Sequence, residues 1–216
     1  SKIRSNVKVN LALNVVGKSK SLHRIESIIS FLDLHDEIKI KKIDSKNHKI
    51  IFVGKFANGI KSKNTTTQLL ENIDKKKLLK HKYQIIVKKN VPLEAGLGGG
   101  SMNAASIIQF FVKKKLINVK NKKVVEISNS IGSDVVLGLY SKNLILRSNK
   151  SIKTFAIKKK IYTLIVKPDF GCSTKKIYSE VRKFTKIRFN LMSRHMFNTE
   201  FLKKMKNDLE IIALNK

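Results

Sequence analysis

The sequence predicts an α+β fold, an early β layer followed by helices packed on a largely antiparallel sheet. Three observations carry this. Residues 6–16, NVKVNLALNVV, alternate with period two, as a strand does. Residues 36–43 (DEIKIKKI) and 48–54 (HKIIFVG) alternate again, and the DSKN between them reads as a hairpin turn. Residues 83–116 then run strand, glycine-rich turn, helix.

Taken in order, the first strand sets Val7, Val9, Leu11 and Leu13 on one face and Lys8, Asn10 and Ala12 on the other. Residues 17–21 read as a turn, and residues 22–32 suit strand or helix equally. Asn64 is placed to cap a helix carrying Leu69, Leu70 and Ile73. YQIIVKK (83–89) is a strand. In the helix that follows the glycines, Ala104, Ala105, Ile107, Ile108 and Phe111 form a buried stripe. Residues 119–130 predict another helix, 143–148 and 161–166 two strands, 172–183 a helix, and 200–214 a last amphipathic helix.

Composition narrows the function classes. With 42% hydrophobic residues in 216, a substantial core is affordable, and no apolar run is long enough for a membrane helix. The single cysteine, Cys172, forms no internal disulfide and suits a reducing, cytoplasmic compartment. Lys and Arg number 46 against 15 Asp and Glu, a formal charge of +31. These charges are spread along the whole chain and are mostly lysine, so a solvated basic surface is favoured over a dedicated nucleic-acid face. The field would still draw an anionic, phosphorylated substrate.

The stretch 91–106, VPLEAGLGGGSMNAAS, holds four of the ten glycines, Gly96, Gly98, Gly99 and Gly100. Glycines before a helix start let backbone N–H groups approach an anion closely, although a tight turn needs glycine too. Ser101-Met102 follows the glycines where a P-loop has Lys-Ser or Lys-Thr, and no dinucleotide-binding βαβ unit with its acidic residue is apparent.

The order Pro92, Gly96-Leu97-Gly98-Gly99-Gly100-Ser101, Asn103-Ala104-Ala105 resembles the nucleotide loop of the GHMP kinase superfamily. SNVKVNLALNVVG (5–17), His23, Phe31-Leu32-Asp33, IGSDVVLGLY (131–140), KPDFGCSTKKIYSEV (167–181) and NDLE (207–210) resemble, in order, one branch of it. That branch phosphorylates the 2-hydroxyl of a cytidine-diphosphate methylerythritol. The resemblance implies a GHMP N-terminal domain (ribosomal protein S5 domain 2-like) over residues 1–155 that binds ATP. It implies part of a C-terminal α+β substrate domain over 156–216.

It also implies roles. Asp134 would take the hydroxyl proton, and Lys8 would pair with it and favour the developing alkoxide. Pro92, Gly96, Leu97, Gly98, Gly99, Gly100, Ser101 and Asn103 would hold ATP, with Mg²⁺ on the phosphates and no metal site belonging to the protein alone. Lys89 and Asn64 match positions near the adenine. Asn10 would touch the acceptor near its hydroxyl, His23 the cytosine edge, and Tyr178 the cytosine face. The implied partner is a small molecule, with no membrane, and the protein a monomer or homodimer. The chain departs from the pattern at Ser5-Asn6 (Ala-Pro), Leu22 (Tyr), Met102 (Ser) and Val136 (Pro). A second glycine motif of the family's C-terminal half does not occur in these residues, which leads one to expect a fragment or a shortened product. Another GHMP small-molecule kinase, an RNA-contacting module and an inactive remnant are the competing readings.

Overall fold

The computed structural model describes residues 1–19, 22–157, 161–167, 171 and 173–215. Two strands dominate its beginning, β1 (Lys2–Ser19) and β2 (Leu22–Ile43), which pair with each other. Both outrun the alternating stretches that announce them. The ambiguous residues 22–32 are strand throughout and continue through 33–35 without a break. The expected turn at 17–21 lies partly at positions 20 and 21, outside the described residues.

The chain forms two compact units. The first comprises Ser1–Lys8, Leu32–Leu93 and Leu97–Ser141, and the second Val9–Phe31, Glu94–Gly96 and Lys142–Lys216. In the first, β3 (Lys49–Val53) is followed by α1 (Thr65–Lys75) and β4 (Lys82–Lys88). β4 lies between β2 and β3, antiparallel to β2 (Ile38 opposite Val87, Ile40 opposite Ile85) and parallel to β3 (Phe52 opposite Val87). The hairpin expected across DSKN is therefore not formed. Tyr83, Ile85 and Val87 are the more deeply buried set, so β4 takes the central place and short β3 an outer one. Parallel neighbours need a crossover, and the segment holding α1 supplies it.

Three more helices complete this unit: α2 (Gly99–Lys113), α3 (Asn121–Ile131) and α4 (Ser133–Gly138). Ile38, Ile40, Leu69, Ile73, Ile85, Ile107, Ile108, Phe111, Ile127 and Val135 share one core. α4 packs on α2 at unusually short range. A Cβ on Gly138 would stand 2.6 Å from Ala105 Cβ and 3.0 Å from Met102 Cε.

In the second unit β5 (Asn143–Leu146) pairs with the first half of β2 and with β6 (Ile152–Phe155), both antiparallel. Short elements follow: α5 (Thr174–Ser179), a 3-10 turn at Arg194–Phe197, α6 (Thr199–Leu202) and α7 (Glu210–Leu214). Ala12, Ile28, Ile145, Phe189, Met196 and Phe197 form its core. Residues 161–166 make no strand among the described residues, and Tyr162 and Leu164 are exposed. The continuous helix expected over 200–214 is interrupted. Lys206 O accepts from Leu13 N (3.0 Å), Asp208 N donates to Leu13 O (2.9 Å), and Asp208 Oδ2 accepts from Val15 N and Thr185 Oγ1, both at 2.7 Å. The NDLE motif thus satisfies backbone groups of β1, which a helix at 206–208 would leave unmet.

Candidate active site

Lys8, Gly98 and Asp134 are far apart in sequence and meet in the first unit. Lys8 lies on β1, where alternation turns its side chain away from solvent until it is 6% exposed. Its Nζ stands 3.3 Å from Asp134 Oδ2, whose side chain is 37% exposed. Asp134 is in the first turn of α4, right after Gly132 ends α3. The pair thus consists of a sheltered ammonium and a carboxylate that solvent, and hence a substrate, can reach.

The glycine loop closes on this pair. Lys8 N donates to Leu97 O at 3.2 Å. Gly98 is left-handed (φ +66°), and a Cβ there would meet Lys8 Cε at 3.1 Å, Lys8 Cγ at 3.3 Å and Asp134 Oδ2 at 3.6 Å. Gly98 is therefore needed both for its φ and for its missing side chain. Gly96 also has positive φ (+71°), with nothing within 4 Å of its Cβ position. Pro92 enters the loop partly buried. Gly99, Gly100 and Ser101 form the first turn of α2, and its N-cap, Gly98, makes no side-chain capping bond. That turn offers backbone N–H groups and the positive dipole end to an anion. Thr65 Oγ1 donates to Gly100 O at 2.7 Å, tying the start of α1 to this turn.

The remaining expected site residues divide. Asn64 caps α1, accepting from Thr66 N and Thr67 N and donating to Lys61 O and Ser62 O. Lys89 and Asn103, expected beside the nucleotide, are instead buried with their side chains on Asp36. Asp36 belongs to no sequence motif of the site. Its signal is present in DEIKIKKI, where Asp36 has the parity of the inward Ile38 and Ile40. In the second unit Asn10 is partly buried on β1. His23, on β2, contacts Tyr178 of α5, with ring centroids 5.2 Å apart and planes inclined 31°. Burial, aided by the charge of Lys18, lowers the His23 pKa from its ordinary value.

The sequence profile of the GHMP kinases N terminal domain matches residues 64–142. A 4-diphosphocytidyl-2-C-methyl-D-erythritol kinase of Pelagibacter ubique (strain HTCC1062) is 52% identical over 216 residues, all of this chain and 77% of the relative. The chain belongs to the 4-diphosphocytidyl-2-C-methyl-D-erythritol kinase family. A second member of that family, from Clostridium tetani (strain Massachusetts / E88), is 29% identical over 99% of this chain and 78% of its own length. A crystal structure of a 4-(cytidine 5'-diphospho)-2C-methyl-D-erythritol kinase superposes with a TM-score of 0.70 at 19% identity. That superposition covers 100% of this chain and 78% of the other, and it shows the fold. A homoserine kinase from Cytophaga hutchinsonii shares the fold more loosely, with a TM-score of 0.56. Family membership accounts for the α+β GHMP N-terminal architecture and makes the chain an ATP-dependent kinase. Among the described residues no helix is long and apolar enough to cross a membrane.

Proposed function

We propose that this chain transfers the γ-phosphoryl group of ATP to the 2-hydroxyl of 4-diphosphocytidyl-2-C-methyl-D-erythritol, a step in isoprenoid precursor synthesis. The observation that supports it most is the Lys8–Asp134 pair set directly against Gly98 of the glycine loop. The carboxylate of Asp134 accepts the hydroxyl proton as the oxygen attacks the γ-phosphorus. The ammonium of Lys8 steadies the negative charge that grows on that oxygen. The uncapped first turn of α2 holds phosphate oxygens by its N–H groups, beside the Lys8–Asp134 pair that a Cβ at Gly98 would crowd. Positioning and charge stabilisation are most of what phosphoryl transfer asks of a protein.

No group of three or more potential metal ligands exists among the described residues. Mg²⁺ fits as an ion carried largely by the nucleotide phosphates, with Ser101, in the first turn of α2, as the side chain on hand. When bound, MgATP supplies the phosphoryl group and neutralises part of its charge. Asn10, His23 and Tyr178 form the acceptor side of the reading. A neutral His23 bonds the cytosine edge, and Tyr178 stacks on its face. In this reading residues 1–155 are the ATP-binding part and 156–216 belong to the substrate part, in a cytoplasmic protein.

The test is ADP release from ATP with Mg²⁺ across a panel of acceptors. Release dependent on the cytidine-diphosphate sugar alcohol, with none from homoserine or mevalonate, is expected. Release with another acceptor instead would overturn the substrate, and no release with any acceptor would overturn the reaction.

A further inference from the structure

Asp36, on β2, is fully buried and serves no step of the reaction. Its Oδ1 accepts the backbone N–H groups of Asn90 (2.8 Å) and Val91 (3.0 Å). Its Oδ2 accepts Asn103 Nδ2 (2.9 Å) and the ammonium of Lys89. Together these donors occupy the roughly four lone-pair directions of a carboxylate.

The places these donors come from are informative. Lys89, Asn90 and Val91 immediately precede the glycine loop, and Asn103 lies in α2 just after it. One side chain, on a third element, thereby holds both ends of the loop. The backbone of residue 89 is fixed as well, since Lys89 N donates to Val53 O at 2.7 Å and Lys89 O accepts from Phe56 N. Lys89 Nζ stands 3.4 Å from the Cβ position of Gly99, under the first residue of α2. Charged groups are buried at acceptable cost only when fully paired. If the loop collapsed or its ends drifted apart, this carboxylate and this ammonium would lose partners in the interior.

We propose that Asp36 is a positioning residue for the nucleotide. It fixes the spacing between the entry of the glycine loop and the start of α2, so that the N–H groups there converge before a phosphate arrives. This rests on the kinase reading. Asp36 and Asn103 are 0% and 1% exposed, so neither is placed to touch a ligand, and any effect of changing them on binding is transmitted through the loop.

The experiment compares wild type with Asp36→Asn and Asn103→Ala. Asn103→Ala leaves the Lys89–Asp36 pair in place and serves if Asp36→Asn does not fold. Far-UV circular dichroism establishes folding, calorimetry gives the Kd of ADP with Mg²⁺, and steady-state kinetics gives KM for the cytidine-diphosphate acceptor. Loss of a supporting partner of this kind is expected to weaken ADP binding about tenfold or more, with the acceptor KM within about twofold of wild type. Folded variants that bind ADP as wild type does would overturn the proposal. So would equal weakening for ADP and acceptor, the mark of general loosening. Wild type that binds no ADP would instead bring down the kinase reading, and this one with it.

Discussion

Replacing Gly98 with alanine would test the heart of the candidate site. The new methyl group meets two obstacles of different kinds. The backbone is held at φ +66°, which costs an L-residue with a Cβ about 1–2 kcal/mol. The methyl would also stand 3.1 Å from Lys8 Cε and 3.3 Å from Lys8 Cγ, so the lysine must retreat by a few tenths of an ångström. That retreat lengthens the 3.3 Å approach of its ammonium to Asp134. Gly96→Ala separates the two effects. Its φ of +71° imposes the same backbone cost, but its methyl has no neighbour within 4 Å. From the backbone alone both variants are expected to lose about 1–2 kcal/mol in urea denaturation. Small misplacements of reacting groups cost up to about a hundredfold in rate, so kcat should fall at least about tenfold further in Gly98→Ala than in Gly96→Ala. A coupled assay for ADP release reads kcat. Equal losses in the two variants would mean that backbone strain, not the Lys8–Asp134 contact, sets the rate, and the role given to the pair would be refuted.

Three other outcomes are expected. Asp134→Asn should lower kcat by about 10²–10⁴ while circular dichroism and Tm stay near wild type, because the side chain is partly exposed and outside the core; retained turnover would remove Asp134 from proton transfer. Cytidine binding should weaken as pH falls below 6.5 and through the lowered His23 pKa, where the imidazole gains a proton, and His23→Gln should flatten that dependence; an unchanged slope would acquit His23. Asn64→Ala should cost about 1 kcal/mol of stability through the lost cap, and a concurrent loss of ATP affinity, read by calorimetry, would support an additional place beside the adenine.

What the sequence made legible was largely local. The Asn64 cap, the glycines before α2 and the helical stripe from Ala104 to Phe111 are short-range signals, and each is found where its spacing put it. The reading failed where partners were non-local. DSKN has good turn chemistry, yet β3 pairs with β4, because sheet order depends on which strand is buried most deeply. The pattern over 200–214 is amphipathic, but β1 draws 206–208 into backbone pairing and ends the helix there. Strand β6 is too short to show alternation, although Asn149-Lys150 marks its hairpin turn, with Lys150 at φ 66°. Within the site, Lys8 and Asp134 needed the family resemblance to be linked at all. Asp36 was visible by parity alone, as an inward-facing member of DEIKIKKI, and nothing local marks its partners at 89–91 and 103.

The tight contact of Gly138 with Ala105 and Met102 constrains how this chain can vary. Met102 stands where the family pattern has serine, and its Sδ and Cε come within 3.2 and 3.0 Å of where a Cβ on residue 138 would be. The methionine tip is the far end of a flexible side chain and can swing aside, so it is the smaller obstacle at position 138. Reverting Met102 to serine would relieve part of that crowding, although Ala105, at 2.6 Å, would still oppose any residue larger than glycine. Ala105, whose Cβ is fixed to the α2 backbone, therefore keeps position 138 a glycine on the helix that presents Asp134. A side chain at position 138 would push α4 off α2 and carry Asp134 with it, so Gly138 guards the Lys8 contact from four residues away.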